Sequence, residues 1–569
     1  MAHIAVLLVV LIFTGWSSAS AQAAYDDPRT PEGWAWAKIR NDEIADFTAR
    51  CGPPEFDLDP DAKPDWADPC RQISSQFLAY ILTEAKSRDQ VPQHGVRLEG
   101  ANIAGGIDLA DAEIKAQVSI ETSRIDGDAT LDDSRWKRPL SLRGSTVTGS
   151  FSAERIHADS AMMLNNALFE GDVDLTGPIV GDDLAMWRSS FDQKVSLRNG
   201  KVGGDLEMWG SSFRDAVDLT NARIDRSVAM DEASFAETVY AGGLNVGRDL
   251  FMRRGAEFRG EIFLIGARVG ALLELRYAKA WFVDLSWAEV TGLHTDGLRW
   301  WCEDGKPLNG IADHSLTLGK LGSQVPRCER SDGADLPKFI LRNVHFGAFQ
   351  DDPDAWPPSL DLEGFSYDRL GGIAGVSKLA NSGRADMRKR SPDEWTDWLA
   401  RDRIFSTQPY SQLSSVLAAA GHRDGAEAIQ FVGRQRERGE ARARGDLGSW
   451  AWLTLFSLVA GYGIGLYTFR VLWWVIGLIV LGAVCLSYSP YARRQGLLWR
   501  LGASLHRLLP VVELSKEFKD FFDNPQPSNA EEPRNLNRWQ TAYFAGHAIA
   551  GWVLGLFLLA AMSGLTQKG

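Results

Sequence analysis

From Val96 onward the chain repeats one short unit, apolar-x-apolar-x-x-small-x-apolar, every eleven residues. First positions fall at Val96, Ile107, Val118, Ala129, Leu140, Phe151, Met162, Val173, Leu184, Val195, Leu206, Val217, Val228, Val239 and Leu250. Of these fifteen units in register, twelve carry Ala, Ser or Gly at the small position, as at Ala101, Ala112, Ser123, Ala222 and Ala233. A fixed short period over so long a stretch dictates a solenoid, in which each unit buries its apolar side only against its neighbours. Within a unit, alternating apolar residues mark two short strands, each followed by a turn. A helix is excluded, because offsets of zero, two, five and seven do not gather on one helical face.

After Leu250 one extra residue shifts the frame, and units beginning at Ile262, Leu273, Val283, Phe339 and Leu360 restore it, so the solenoid is expected to run to about residue 367. The last apolar position of each unit sets the size of a coil. Phe169, Phe191, Phe213 and Phe235 alternate there with Val180, Val202, Ile224 and Val246. Like residues thus recur every twenty-two, which implies two units and four strands per coil, with coils stacked at the spacing of paired strands, about 4.8 Å.

Leu109-Ala110-Asp111-Ala112-Glu113-Ile114 and Leu219-Thr220-Asn221-Ala222-Arg223-Ile224 resemble degenerate pentapeptide repeats, the A-(D/N)-L-x-x family. That resemblance implies a right-handed quadrilateral β-helix. Some members mimic DNA; the signs of export described next argue against that use here, and a formal net charge of -13 argues against nucleic acid as a partner.

Ile4 to Phe13 is an apolar stretch too short to span a bilayer, and small residues follow it up to Ala23, so residues 1–23 read as a secretory signal peptide. Cysteine usage agrees: Cys51 with Cys70 and Cys302 with Cys328 form two local pairs, expected as disulfides in an oxidising compartment, while Cys485 sits in an apolar segment. Neither pair has the spacing of a zinc knuckle, and no metal site is expected. Residues 24–95 are expected to form an N-terminal helical cap, its amphipathic stretch Ile73 to Leu82 covering the first coil's open edge. Residues 96–300 are the solenoid proper, and 301–385 continue it with insertions, the one between Trp301 and Lys338 folding over the coils.

Residues 386–448 turn helical. Gln408-Pro409-Tyr410 opens one helix, Gly421-His422 breaks it, and Ala426 to Arg438 forms a second, so the pair reads as an antiparallel hairpin. Its basic flank, Arg434, Arg436, Arg438, Arg442 and Arg444, reads as headgroup-facing or solvated. Residues 449–569 form a membrane domain with spans near Leu466 to Ser489 and Tyr543 to Leu565, while Trp450 to Gly463 is either a third span or a helix in the interface. Arginines crowd both flanks, so charge does not orient the spans; the leader does, placing the solenoid outside the cytoplasm, anchored in the inner membrane.

With the repeats, Asp361 to Leu370, the Gln408-Pro409-Tyr410 hairpin, Leu505 to Val512 and Gly551-Trp552-Val553-Leu554 resemble a family of bacterial membrane-anchored pentapeptide-repeat-like proteins. Members often carry the label membrane-associated oxidoreductase, and the resemblance transfers no catalytic motif. The residues themselves point to no cofactor. Gly461-x-Gly463-x-Gly465 lies in an apolar segment, Gly371 to Gly375 lacks the strand, turn and helix of a dinucleotide loop, and there is no CxxC, CxxCH or P-loop. The surface feature that stands out is Trp187-Arg188-Ser189-Ser190-Phe191 followed one coil later by Trp209-Gly210-Ser211-Ser212-Phe213. Trp187 and Trp209 are expected to stack on one outward face, either as a binding candidate for a glycan or a partner chain or as a surface over which the insertion near residues 301–338, or the hairpin, packs. The chain therefore reads as a non-enzymatic binding or scaffolding protein of the cell envelope. An envelope enzyme or enzyme subunit is the second reading, and a cytoplasm-facing membrane scaffold the third.

Overall fold

Strands of the repeat region pair in parallel with the equivalent strands of adjacent coils in the computed structural model, which describes residues 25–52, 66–301, 337–373, 386–509, 513–523 and 536–562. The leader and the pair Cys302–Cys328 lie outside those residues. The chain divides into two compact units, Met1–Ile404 and Phe405–Gly569.

The first unit is a parallel β-solenoid of about eleven turns. Four ladders make each coil. Val96, Val118, Leu140 and Met162 stack in the first; Ile125, Val147, Phe169 and Phe191 in the second; Ile107, Ala129, Phe151 and Val173 in the third; Ile114, Trp136, Ala158 and Val180 in the fourth. Partners are twenty-two residues apart, as the alternation of Phe with aliphatic residues implies. The phenylalanines form the continuous stack expected of them: Phe169 to Phe191 at 5.1 Å, then Phe213, Phe235 and Phe258 each 4.8 Å from the last, with planes within 5°.

Two local features explain the rest of the unit. The residue before the small position turns the corner in a left-handed conformation, as at Asp111, Asp133, Asn166, Asn199 and Asn221, with φ between 53 and 58°. Asn, Asp and Gly tolerate that region, so they recur there. The small residue then faces inward, and where it is serine its hydroxyl ties coils together: Ala101 N donates to Ser123 Oγ (3.1 Å) and Ser123 N to Ser145 Oγ (3.0 Å). The extra residue after Leu250 is absorbed at one corner, Arg254 and Gly255 both taking positive φ, so Phe235 meets Phe258 without a break in the ladder.

Both ends of the solenoid are closed. At the N-terminal end helix α1 (Pro31–Arg40), started by Thr30 and Pro31, leads to Ala45–Asp46, which pairs with the first strand, Val96–Glu99. Gln72–Ser74 adds a rung beside Asn102–Ala104 and passes directly into α2 (Ser75–Thr83), whose Ser74 cap accepts from Phe77 N. Leu78 and Leu82 of α2 line one apolar void with Ile107 and Leu109, so the amphipathic segment does cover the first coil. At the other end Leu360 bridges Asp402, and α3 (Pro392–Ala400), opened by a capping box between Ser391 and Glu394, buries Trp395 and Trp398. Covering the end coils removes the exposed edges that would otherwise pair between molecules.

The second unit is helical. The hairpin is α4 (Gln408–Ala419) and α5 (Arg423–Ala443), antiparallel because Ser414 Oγ donates to Ala426 O and Gly433 packs against Tyr410. Helix α6 (Leu447–Ala460) ends at Gly461, and α7 opens with a 3-10 turn, Gly465–Phe469, before Arg470–Leu486. Then come α8 (Gly496–Leu508), α9 (Lys516–Asp523) and α10 (Arg538–Met562). Among the described residues one helix, Gly465–Leu486, is long and apolar enough to cross a membrane, with mean hydropathy 2.3. The second expected span begins within α10, and its last residues lie outside the described ones. Helices α7, α8 and α10 approach closely at small residues: a Cβ on Gly482 would meet Ser504, and one on Gly551 would lie 1.8 Å from Leu508 O.

Candidate functional site

Trp187 and Trp209 follow Met186 and Met208, the second inward residues of their first-ladder strands, and therefore point outward one coil apart. Their rings stack 4.9 Å apart and 6° from parallel. Arg188, in the left-handed corner between them, places its guanidinium 4.9 Å from the Trp209 ring centre and 6.0 Å from that of Trp187. Beneath the rings Ser189 N donates to Ser211 Oγ (3.0 Å), Ser211 Oγ donates to Met186 O (2.6 Å), and Phe191 and Phe213 continue the interior stack. The Ser and Phe positions of the repeated motif thus serve the coil. The tryptophans lie on the outer face instead: both are half-buried, stacked on each other, and form a flat amphipathic edge with Arg188.

Farther along the same ladder lies a polar cluster that the repeat pattern does not reveal. Glu274, His294 and Gln350 occupy successive outward positions in register, yet all are buried. His294 Nε2 lies 2.8 Å from Asp296 Oδ2, its Nδ1 3.7 Å from Glu274 Oε1, and Gln350 Nε2 donates to Asp296 at 3.1 Å. Arg253 joins Glu274 to Asp231. Burial alone would lower the His294 pKa, but the two carboxylates outweigh it and raise it above the ordinary value. Burial likewise pushes Glu274 up, while His294 and Arg253 beside it bring it down to about 2. An imidazole only 1 % exposed and flanked by carboxylates holds coils together rather than meeting a substrate. The signal in the sequence is a defect in the pattern: the units at Leu293 and Phe349 place Thr295 and Asp351 where the second apolar residue belongs. Asp351 is buried and paired with Arg390 at 2.5 Å.

Cys51 and Cys70 form a disulfide, which ties the end of the Phe47–Cys51 helix to the turn before Gln72–Ser74. Asp68 stands beside them and accepts from Cys70 N; with both sulfurs bonded to each other, the trio has no thiolate to give a metal ion. Gly461, Gly463 and Gly465 make the turn between α6 and α7, with positive φ at each. Comparison with models of protein families, with curated proteins and with solved structures gives no match.

Proposed function

We propose that this is a membrane-anchored binding or scaffolding protein of the cell envelope, whose solenoid presents a long surface on the extracytoplasmic side and whose helical unit holds it in the inner membrane. The observation that carries the reading is the Trp187–Trp209 stack: two large aromatic rings on one outward face, stacked one coil apart and half-buried. Supporting the membrane part, α7 and α10 turn large apolar side chains outward, among them Trp473 at 75 % exposure, Ile476, Val480, Ile549, Leu556 and Leu559. Four ladders per coil and the Asp or Asn corners suit a right-handed quadrilateral coil of pentapeptide-repeat type. In this reading the ligand is an envelope glycan or a protein segment laid across the Trp pair.

The test uses the full chain purified in detergent and measures its binding to envelope glycans and to extracted envelope proteins. Replacing both residues, Trp187→Ala with Trp209→Ala, is expected to weaken binding at least about tenfold while the solenoid still folds and melts cooperatively, as loss of a central aromatic anchor does. Unchanged affinity would move the site elsewhere. A redox cofactor bound at near-stoichiometric occupancy would favour the enzyme reading instead.

A further inference from the structure

We infer that α6 lies in the plane of the membrane interface and does not cross the bilayer: its apolar side meets acyl chains, and the arginines of α5 above it meet anionic phospholipid headgroups. The inference rests on the reading of α7 and α10 as the crossing helices.

Three observations carry it. The fourteen residues of α6 span about 21 Å, short of a hydrocarbon core of about 30 Å. Its outward side is apolar along the whole length, with Leu447, Trp452, Leu455 and Leu458 all more than half exposed. Its other side is held against α5 at both ends. Arg442 of α5 stands over the Trp450 ring at 6.0 Å, and Gln435 Nε2 donates to Ser457 Oγ at 3.3 Å. The two helices therefore lie side by side and antiparallel. Helix α5 carries Arg434, Arg436, Glu437, Arg438, Glu440 and Arg442 over that stretch, and charged residues are strongly disfavoured at mid-bilayer depth. A spanning α6 would drag those charges in with it. Lying flat, the pair keeps them in the headgroup layer.

The junction fits the same arrangement. Arg470, at the start of the long part of α7, donates to Ser457 O at 3.3 Å and packs over Phe431 of α5. It thus marks the depth at which the chain leaves the interface. Arg434, Arg442 and Arg444 are exposed; Arg434 forms a close ion pair with Glu437, and Arg444 is attracted to Asp446 without a close ion pair among the described residues. A phospholipid surface of negative charge offers these exposed guanidinium groups further anionic partners.

Site-directed spin labels read the depth directly. In a full chain carrying Cys302→Ser, Cys328→Ser and Cys485→Ala, single labels at Trp452, Leu455, Leu458 and, on α7, Ile476 are placed in vesicles of phosphatidylcholine mixed with phosphatidylglycerol. Collision with oxygen and with a water-soluble nickel chelate gives each depth. The three α6 labels are expected at one shallow depth and Ile476 well below them. A gradient of about 9 Å between Trp452 and Leu458 would mean that α6 crosses, and would overturn the inference. A shallow Ile476 would instead break the spanning reading on which it rests, and is recognisable because α6 and α7 then agree. The headgroup role has its own arm. With Arg434→Gln, Arg442→Gln and Arg444→Gln together, or in phosphatidylcholine alone, the α6 labels should move toward water; unchanged depth in both would show that the arginines do not engage phosphate.

Discussion

The middle coils and the last coils of the solenoid use the same backbone and opposite chemistry. Between Phe169 and Phe258 the second ladder repeats phenylalanine from coil to coil, and the rings stack nearly parallel. From Glu274 onward the first ladder carries buried Glu274, His294 and Gln350, and the inward Asp351 is matched to Arg390 from the segment before α3. A coil with like neighbours on both sides gets its specificity from shape alone. At the C-terminal end one neighbour is replaced by a cap of different sequence, and the Asp351–Arg390 pair favours that cap over another coil. Stability in the middle should therefore follow apolar volume, and at the end should follow charge and pH.

The largest effect is expected at Phe213. Phe213→Ala leaves a gap between Phe191 and Phe235, each 4.8 Å away, and should destabilise the solenoid by about 3–5 kcal/mol in denaturant unfolding. Asp218 in the same coil faces outward and accepts from Thr220 N, a role a serine can fill, so Asp218→Ser should stay within about 0.5 kcal/mol. Equal effects from the two would remove the distinction between inward and outward positions.

At the end, Arg390→Met leaves the Asp351 carboxylate without its countercharge among Trp356, Met387 and Tyr367, and should cost about 3 kcal/mol. Adding Asp351→Asn should recover part of that loss, because the buried charge disappears with its partner. No recovery would mean that the pair contributes by packing only.

The smallest effect is the one that separates the regions by pH. The folded-state pKa of His294 is raised above 6.5, so its contribution is fully present below pH 6.5 and is lost as pH rises through the folded value. Glu274 has the opposite sign: depressed to about 2, it contributes above its ordinary pKa of 4.5 and loses that contribution as pH falls toward 2. His294→Gln should therefore flatten the fall in melting temperature between pH 6 and pH 9, whereas Phe213→Ala should shift the whole profile down without changing its slope. Parallel profiles for all three proteins would show that His294 is neutral in the fold.

The repeat made most of this legible beforehand. A period of eleven with Phe alternating against Val or Ile is enough to place four ladders, the Phe stack and the outward Trp pair, because a solenoid copies each one-dimensional register directly into space. The cap helix at Ser75–Thr83 and the α4–α5 hairpin were legible for a related reason, since amphipathic spacing and breaking residues act locally. What the sequence could not show is where the pattern is violated to good purpose. His294, Asp351 and Arg390 look like faults in a repeat or residues in a linker until the fold brings residues 274, 294 and 350 into one column and residue 390 to its end. The same holds for α6, whose apolar composition fits a span or a surface helix equally well. Its partner helix is set by contacts between α5 and α6, and only tertiary structure decides which side of an apolar helix is already taken.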